Sequence, residues 1–384
     1  MRSVPPRTAV VIVGGGVIGV SVAFHLAEAG VRDVLLLERS ALGAGSTSKA
    51  AGGVRPQFSD ELNVRIAQRS LAAYQRFAAR PGGDIGLHQV GYLFLLTASD
   101  QVPAFERSIA LQNDLGVSTR LLTPHEAQQR CPIARMDDVL AASFCPEDGL
   151  ADPDAVVAGY AAGARAQGAT LVTGCEVVDI DTAGDTIRAV ITTDGRVETD
   201  TVICAAGAWS RQVGDMVGVD LPVEPYRRQV VTTPPLDWVP RDIPLTIEFA
   251  SSLYFHGEGG GLLMGMGEAS EPPGFNETLD PGWVERISER AVARIPRLGD
   301  AGFAGGWAGL YELTPDHNAL IGIADGPARF VYATGFSGHG CLQGPAVGEI
   351  VRDLVLDRTP FVDVGPLSVE RFERRAKRPE LNII

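Results

Sequence analysis

The chain has 384 residues, enough for about two domains of typical size. It is 45% hydrophobic and 21% charged, as ordinary soluble proteins are, and its net charge of -14 argues against nucleic acid and anionic membranes as partners. No apolar run reaches the ~18 residues of a membrane-spanning helix, which excludes such a span. The five cysteines, Cys131, Cys145, Cys175, Cys204 and Cys341, have no CxxC spacing, and neither they nor the six dispersed histidines suggest a metal site. Unpaired cysteines point to a reducing, cytoplasmic setting. The first apolar stretch follows a short basic leader, is broken by glycines and lacks a small-residue cleavage site, so it reads as fold rather than signal peptide.

Residues 10–13 are all apolar, which predicts a strand buried on both faces. Gly14, Gly16 and Gly19 follow as G-x-G-x-x-G. Val20, Ala23, Phe24 and Ala27 then recur at helical spacing, and Gly30 fits the end of that helix. A second buried run over 34–37 ends on Glu38, about 20 residues beyond Gly19. Strand, glycine turn, helix, strand and acid form a dinucleotide-binding fingerprint. The glycines admit a pyrophosphate to the helix N-terminus, and the acid accepts hydrogen bonds from ribose hydroxyls. The loop from Gly43 to Arg55 is rich in small residues and hydroxyls, which lets backbone wrap closely around a ligand.

Residues 60–79 read as an amphipathic helix broken by Pro81-Gly82-Gly83. A strand is expected over 91–96 and helices over 101–115, 124–130 and 154–166. Strands follow at 169–172 and 175–180, then a hairpin between 187–192 and 197–199 that turns on Asp194-Gly195. The run from 200 to 207 returns the chain to the nucleotide-binding sheet. Segments 228–233, 245–249, 253–256 and 262–266 suggest an antiparallel sheet that offers one face to a ligand. A helix at 282–294 and strands at 320–323 and 330–333 lead to Gly335-Phe336-Ser337-Gly338-His339-Gly340. That corner feeds a second helix, expected to start near Gly344-Pro345, because proline suits a first helical turn. Its positive end suits a group that becomes anionic. The charged segment 374–384 is expected frayed or docked on the surface.

VVIVGGGVIGVSVAFHLAEAG, LLLER, GAGSTSKAAGGVR, VICAAGAWS, GLYELTPDHNALIG and ATGFSGHGCLQGPAVGE together resemble the D-amino-acid-oxidase superfamily of FAD enzymes. The sarcosine oxidase and glycine oxidase branch is the most similar. The resemblance spans residues 8 to 358. It implies an α/β fold, with a Rossmann-like FAD-binding domain of the second glutathione-reductase type and an α+β substrate domain on a large antiparallel sheet. The FAD domain would comprise 1–85, 150–220 and 300–365, the substrate domain 86–149 and 221–299, and 366–384 a tail. The implied reaction is oxidation of a C–N bond in a small amine, secondary amines preferred, or amino acid by hydride transfer to flavin N5, giving an imine that hydrolyses.

The family's roles fall on particular residues of this chain. Gly14, Gly16, Val17, Ile18 and Gly19 would hold the pyrophosphate, Glu38 the ribose, and Arg39 would lie beside the adenine. Gly45, Ser46, Thr47, Ser48, Gly52, Gly53 and Val54 would wrap the cofactor, and Val177, Ala206, Gly207 and Trp209 would close over the nucleotide. Gly309, Tyr311, Gly338, His339, Gly340 and Leu342 would line the flavin. Arg55, Arg228, Tyr254 and His256 are the substrate-side candidates, with Arg55, Tyr254 and His339 the catalytic ones. His339 either tunes flavin or amine protonation or is held for packing. Tyr254 and His256 share a strand face, and Tyr254 either meets substrate or packs.

Three positions depart from the family's pattern. Gly309 stands where monomeric sarcosine oxidases attach FAD through a cysteine, so non-covalent FAD is expected. Leu263 replaces a lysine that promotes reaction with oxygen, which favours a dehydrogenase. Leu342 replaces a lysine that holds the substrate carboxylate, leaving Arg55, Arg227 or Arg228 for that task. The electron acceptor is oxygen or a partner protein, in a homo- or hetero-oligomer. A flavoprotein subunit of a dehydrogenase complex and a hydroxy-acid oxidoreductase are the alternatives.

Overall fold

A computed structural model describes residues 4–373 and 378–382. Six strands form one sheet, in the order Leu320–Ile323, Phe330–Thr334, Val202–Cys204, Val10–Val13, Val34–Glu38, Thr170–Thr173. All neighbours are parallel except the first pair. Val10–Val13 lies inside the sheet, which is why it has no polar break. Val10 and Ile12 pack among the helices on one face, while Val11 and Val13 pack on the other against Ile180, Val190 and Val197 of a three-stranded sheet. Val17–Glu28 is buried almost all round, and it packs between Pro153–Ala166 and Gly340–Val355.

A second sheet has eight strands, in the order Gly305–Leu313, Glu224–Thr232, Gly261–Gly265, Leu253–Glu258, Leu245–Glu248, Tyr92–Leu96, Ala141–Cys145, Arg120–Leu122. Its pairs are antiparallel save Leu245–Glu248 with Tyr92–Leu96. Leu93 and Leu95 bury against Trp283 and Ile287 of the Pro281–Arg294 helix. Tyr92, Phe94 and Leu96 bury on the opposite face with Phe105. No helix among the described residues is long and apolar enough to cross a membrane, and all five cysteines are buried and unpaired.

Three local expectations are corrected. The hairpin turns one residue early. Thr192 pairs with Gly195, because the Thr192 hydroxyl donates to Gly195 O at 2.8 Å and accepts from Asp194 N at 3.0 Å. The last helix starts at Gly340, leaving Pro345 inside it. Pro345 has no N–H for the Cys341 carbonyl four residues back. The hydroxyl of buried Tyr74 donates to that carbonyl instead, so the helix continues through the proline. Finally, part of the charged end is drawn inward. Glu380 and Asn382 are buried, Glu380 accepting from Ser59 and Asn63 of the 59–63 segment. The rest of the expected tail, 374–377 and 383–384, lies outside the described residues.

Candidate active site

A cavity of about 590 Å³ runs between the two sheets. Two helices start at its wall. Val17–Glu28 opens on Gly16 and Gly340–Val355 on His339, and neither of these cap residues makes a side-chain cap hydrogen bond. Their first amides therefore favour negative charge in one shared space. Backbone crowding dictates the glycines. Gly14 has φ +111°, and a side chain there would strike the Ala205 carbonyl. One at Gly19 would strike Gly14 O, so this glycine serves helix–strand contact and does not itself line the cavity. Thr47 Oγ1 accepts from Val17 N at 3.2 Å and ties the 43–55 loop to the helix start. Glu38 accepts from Gly15 N at 2.7 Å and from Ser40 N at 2.8 Å.

Most of the other expected nucleotide residues line the same cavity. They include Gly45, Ser46, Thr47, Gly52 and Gly53, the last of these against Tyr92. Val177, Ala206, Gly207, Trp209 and Arg39 line it as well. The Arg39 guanidinium lies 3.9 Å over the Trp209 ring, whose far face stacks on Phe275 at 5.3 Å. Ser48 and Val54 fall outside. Ser48 lines a separate shallow pocket, and Val54 is in the core, paired with Gly149.

At the far end stand Gly309, Tyr311, Gly338, His339, Gly340 and Leu342, with Arg55, Arg228 and Tyr254 facing them. Arg55 is buried, and every acceptor it has is neutral. Its Nη1 donates to Gln57 O, and its Nη2 donates to Asn382 O at 2.6 Å. Nη2 also lies 3.4 Å from His339 Nε2. Burial, with Arg55 and His317 adding to it, holds the His339 imidazole neutral well below its ordinary range. Nε2 is then the acceptor and Nδ1 carries the proton. The ring does not titrate near neutral pH, so packing and hydrogen-bond acceptance fit it better than proton exchange.

Burial pushes the phenols of Tyr92, Tyr254 and Tyr311 up, so all three remain hydrogen-bond donors. Tyr254 lines the cavity, whereas His256 on the same strand face does not. His256 Nδ1 sits 2.9 Å from Gly257 O, and burial holds the ring neutral. Arg227 is also absent from the wall. It pairs with Glu271 at 2.9 Å and donates to Thr278 O. Leu263 is buried and does not line the cavity.

Sequence reasoning missed four elements. Tyr92 lines the substrate end, and nothing in the apolar run 91–96 singles it out. Lys49, the one lysine among the described residues, lines the cavity with its stem over Gly309. Glu312 lines it near the Gly340 helix start, and burial outweighs the Ser46 hydrogen bond to push its carboxyl up to about 7. Asn382 supplies a carbonyl to Arg55 from the segment expected on the surface.

The family described as FAD dependent oxidoreductase (DAO) matches residues 9–354. The chain belongs to this family. Mouse (Mus musculus) dimethylglycine dehydrogenase is 33% identical over 386 residues, covering 95% of this chain but 44% of the relative. This chain thus spans less than half the length of that relative. Glycine oxidase of Geobacillus kaustophilus is 29% identical, covering 95% of this chain and 97% of its own. The crystal structure of L-proline dehydrogenase from P. horikoshii superposes with a TM-score of 0.92 at 35% identity, covering 98% and 100% of the two chains. FAD fits the residues present. Two helix starts, a glycine turn in which Gly14 is too crowded for a side chain and an acid at the end of the second strand line one cavity.

Proposed function

We propose that this chain oxidises a C–N bond in a small amine or amino acid, with secondary amines preferred. The observation that carries the reading is Arg55, a buried guanidinium at the cavity wall whose acceptors are all neutral. Such a cation calls for an anionic partner, and a substrate carboxylate matches its fork. FAD, when bound, supplies the hydride acceptor, and the imine formed is hydrolysed in water.

The chain's own residues orient the substrate and set its charge. Arg55 grips the carboxylate from one side. Tyr92, Tyr254 and Tyr311 offer protonated phenols and an apolar wall that excludes water. Burial next to a fixed positive charge disfavours an ammonium, so the amine sheds its proton on entry and arrives with its lone pair free. No side-chain base is needed, which agrees with the neutral His339. Non-covalent FAD is supported by Gly309, which has no atom for a link. The glycine oxidase, dimethylglycine dehydrogenase and L-proline dehydrogenase likenesses support an amino-acid substrate with nitrogen next to the oxidised carbon.

A dehydrogenase is favoured over an oxidase by Leu263, and five unpaired cysteines support a cytoplasmic setting. The two sheets support a division into an FAD part and a substrate part, with Gly305–Leu313 on the substrate sheet although the sequence boundaries count it in the FAD part. The test is anaerobic mixing of the FAD-loaded protein with sarcosine, proline and a hydroxy acid, followed at the flavin band. Bleaching by an amine is expected; bleaching by the hydroxy acid alone overturns the reading. In air, dye reduction should far exceed peroxide release. Rapid peroxide release that Lys49→Met abolishes would instead assign oxygen activation to Lys49.

A further inference from the structure

Two guanidinium groups that line the cavity have no salt bridge to a carboxylate among the described residues. The hydrogen-bond partners of Arg55 are carbonyls and a neutral imidazole, and the buried acids Glu380 and Asp148 act on it from beyond salt-bridge distance. Arg228 stands on Glu224–Thr232, opposite Gly309 of the neighbouring strand. Its sequence neighbour Arg227 points away and is neutralised by Glu271. Arg228 donates Nη1 to the Arg227 carbonyl at 3.1 Å, and its Nε is buried without any acceptor. Its guanidinium lies 5.1 Å over the Tyr311 ring. Tyr311 and Arg55 line the same cavity as Arg228.

The acids on the cavity wall do not serve these cations. Glu38 is taken by the Gly15 and Ser40 amides, and Glu312 faces Ser46. Glu176 and Glu277 form no ion pair with either arginine. A buried charge without a paired counter-charge is costly, and here Arg55 is buried while Arg228 is half-buried with its Nε cut off from any acceptor. One amino-acid carboxylate answers only one of them.

We propose that the substrate is an amine carrying two carboxylates, Arg55 holding one and Arg228 the other, with the nitrogen between them against Tyr311. This rests on the amine-oxidising reading above and narrows its substrate class. It also gives Arg228 a role in specificity that a monocarboxylate enzyme has no use for.

The test uses the FAD-loaded protein and two thioethers that carry no amine to oxidise. Thiodiacetate has two carboxylates, and (methylthio)acetate has one. Binding is read from the shift of the flavin absorbance band and, independently, from the rise in melting temperature. Thiodiacetate should bind at least about tenfold tighter, because charge-assisted hydrogen bonds to a guanidinium are worth that much or more. Arg228→Met should erase the preference and Arg228→Lys should keep part of it, with FAD content unchanged in both. Equal binding of the two thioethers to the unaltered protein overturns the proposal, whatever the variants do. So does an Arg228→Met protein that loses FAD but keeps the preference, which would give the cation to the cofactor. In turnover, iminodiacetate should have a lower KM than sarcosine by a similar factor. The two readings fail separately. Rapid FAD reduction by sarcosine with no diacid preference sinks this one alone. An Arg228-dependent diacid preference with no amine reducing FAD sinks the amine reading and leaves the double-carboxylate site.

Discussion

The two ends of the cavity are built from different material. At the nucleotide end the wall is mostly backbone, with amides at a helix start and glycines where nothing else fits. At the substrate end it is mostly side chains, with Arg55, Tyr92, Arg228, Tyr254 and Tyr311 arriving from separate stretches of the sequence. A backbone wall tolerates little change. A side-chain wall can be re-cut residue by residue without disturbing the fold, so that is where specificity resides.

Breaking the backbone wall should have the largest effect. Gly14→Val combines a left-handed backbone with overlap of the Ala205 carbonyl, and should cost roughly 3–5 kcal/mol. The protein should be colourless and melt far lower, read by absorbance and by calorimetry. Arg55→Met should leave FAD content near normal but weaken carboxylate ligands by about ten- to a hundredfold, measured by titration of the flavin band. That outcome would sharpen the division between the two ends; loss of FAD would blur it.

A third test concerns the Gly340–Val355 helix, whose first residues line the cavity. Tyr74→Phe strands the buried Cys341 carbonyl and should cost about 1–3 kcal/mol in chemical unfolding. Adding Pro345→Ala restores an N–H four residues on and should recover part of the loss. Additive losses in the double variant would refute the role given to Tyr74.

The smallest effect is a pH dependence at the substrate end. Burial pushes the Asp148 carboxyl up to about 7, against the hydrogen bond it accepts from Gln57 at 2.7 Å. The folded state therefore holds a proton that the unfolded state has released, so this group's contribution to stability falls as pH rises from about 4 to about 7 and is level above that. Asp148→Asn should remove that fall, gaining on the unaltered protein by at least ~1 kcal/mol between pH 4 and 7 in paired urea titrations. A gap that does not change with pH would refute the shift.

The same division explains what was legible in the sequence. The Gly14 turn, Glu38 and the Gly338 corner are visible because spacing alone creates them, and a strand–turn–helix needs its glycines at fixed positions. Tyr92 is invisible as a site residue because strand alternation says that a face exists, not which sheet it looks onto. Arg227 and Arg228 were indistinguishable on the page, and only the register against Gly305–Leu313 and the reach of Glu271 separate them. The early start of the last helix was hidden because its cause, the Tyr74 hydroxyl, lies more than 260 residues away. The burial of Asn382 was hidden because a charged segment reads as solvated until its acceptors are known.

Gly309 has one more consequence. A β-carbon there would sit 2.5 Å from Lys49 Cβ and 2.9 Å from its Cγ, so the lysine's methylenes occupy the slot that a larger residue would need. A tethered coenzyme and this lysine are thus mutually exclusive tenants of one niche. A lineage that anchored its flavin through a residue at this position would first have to evict the lysine.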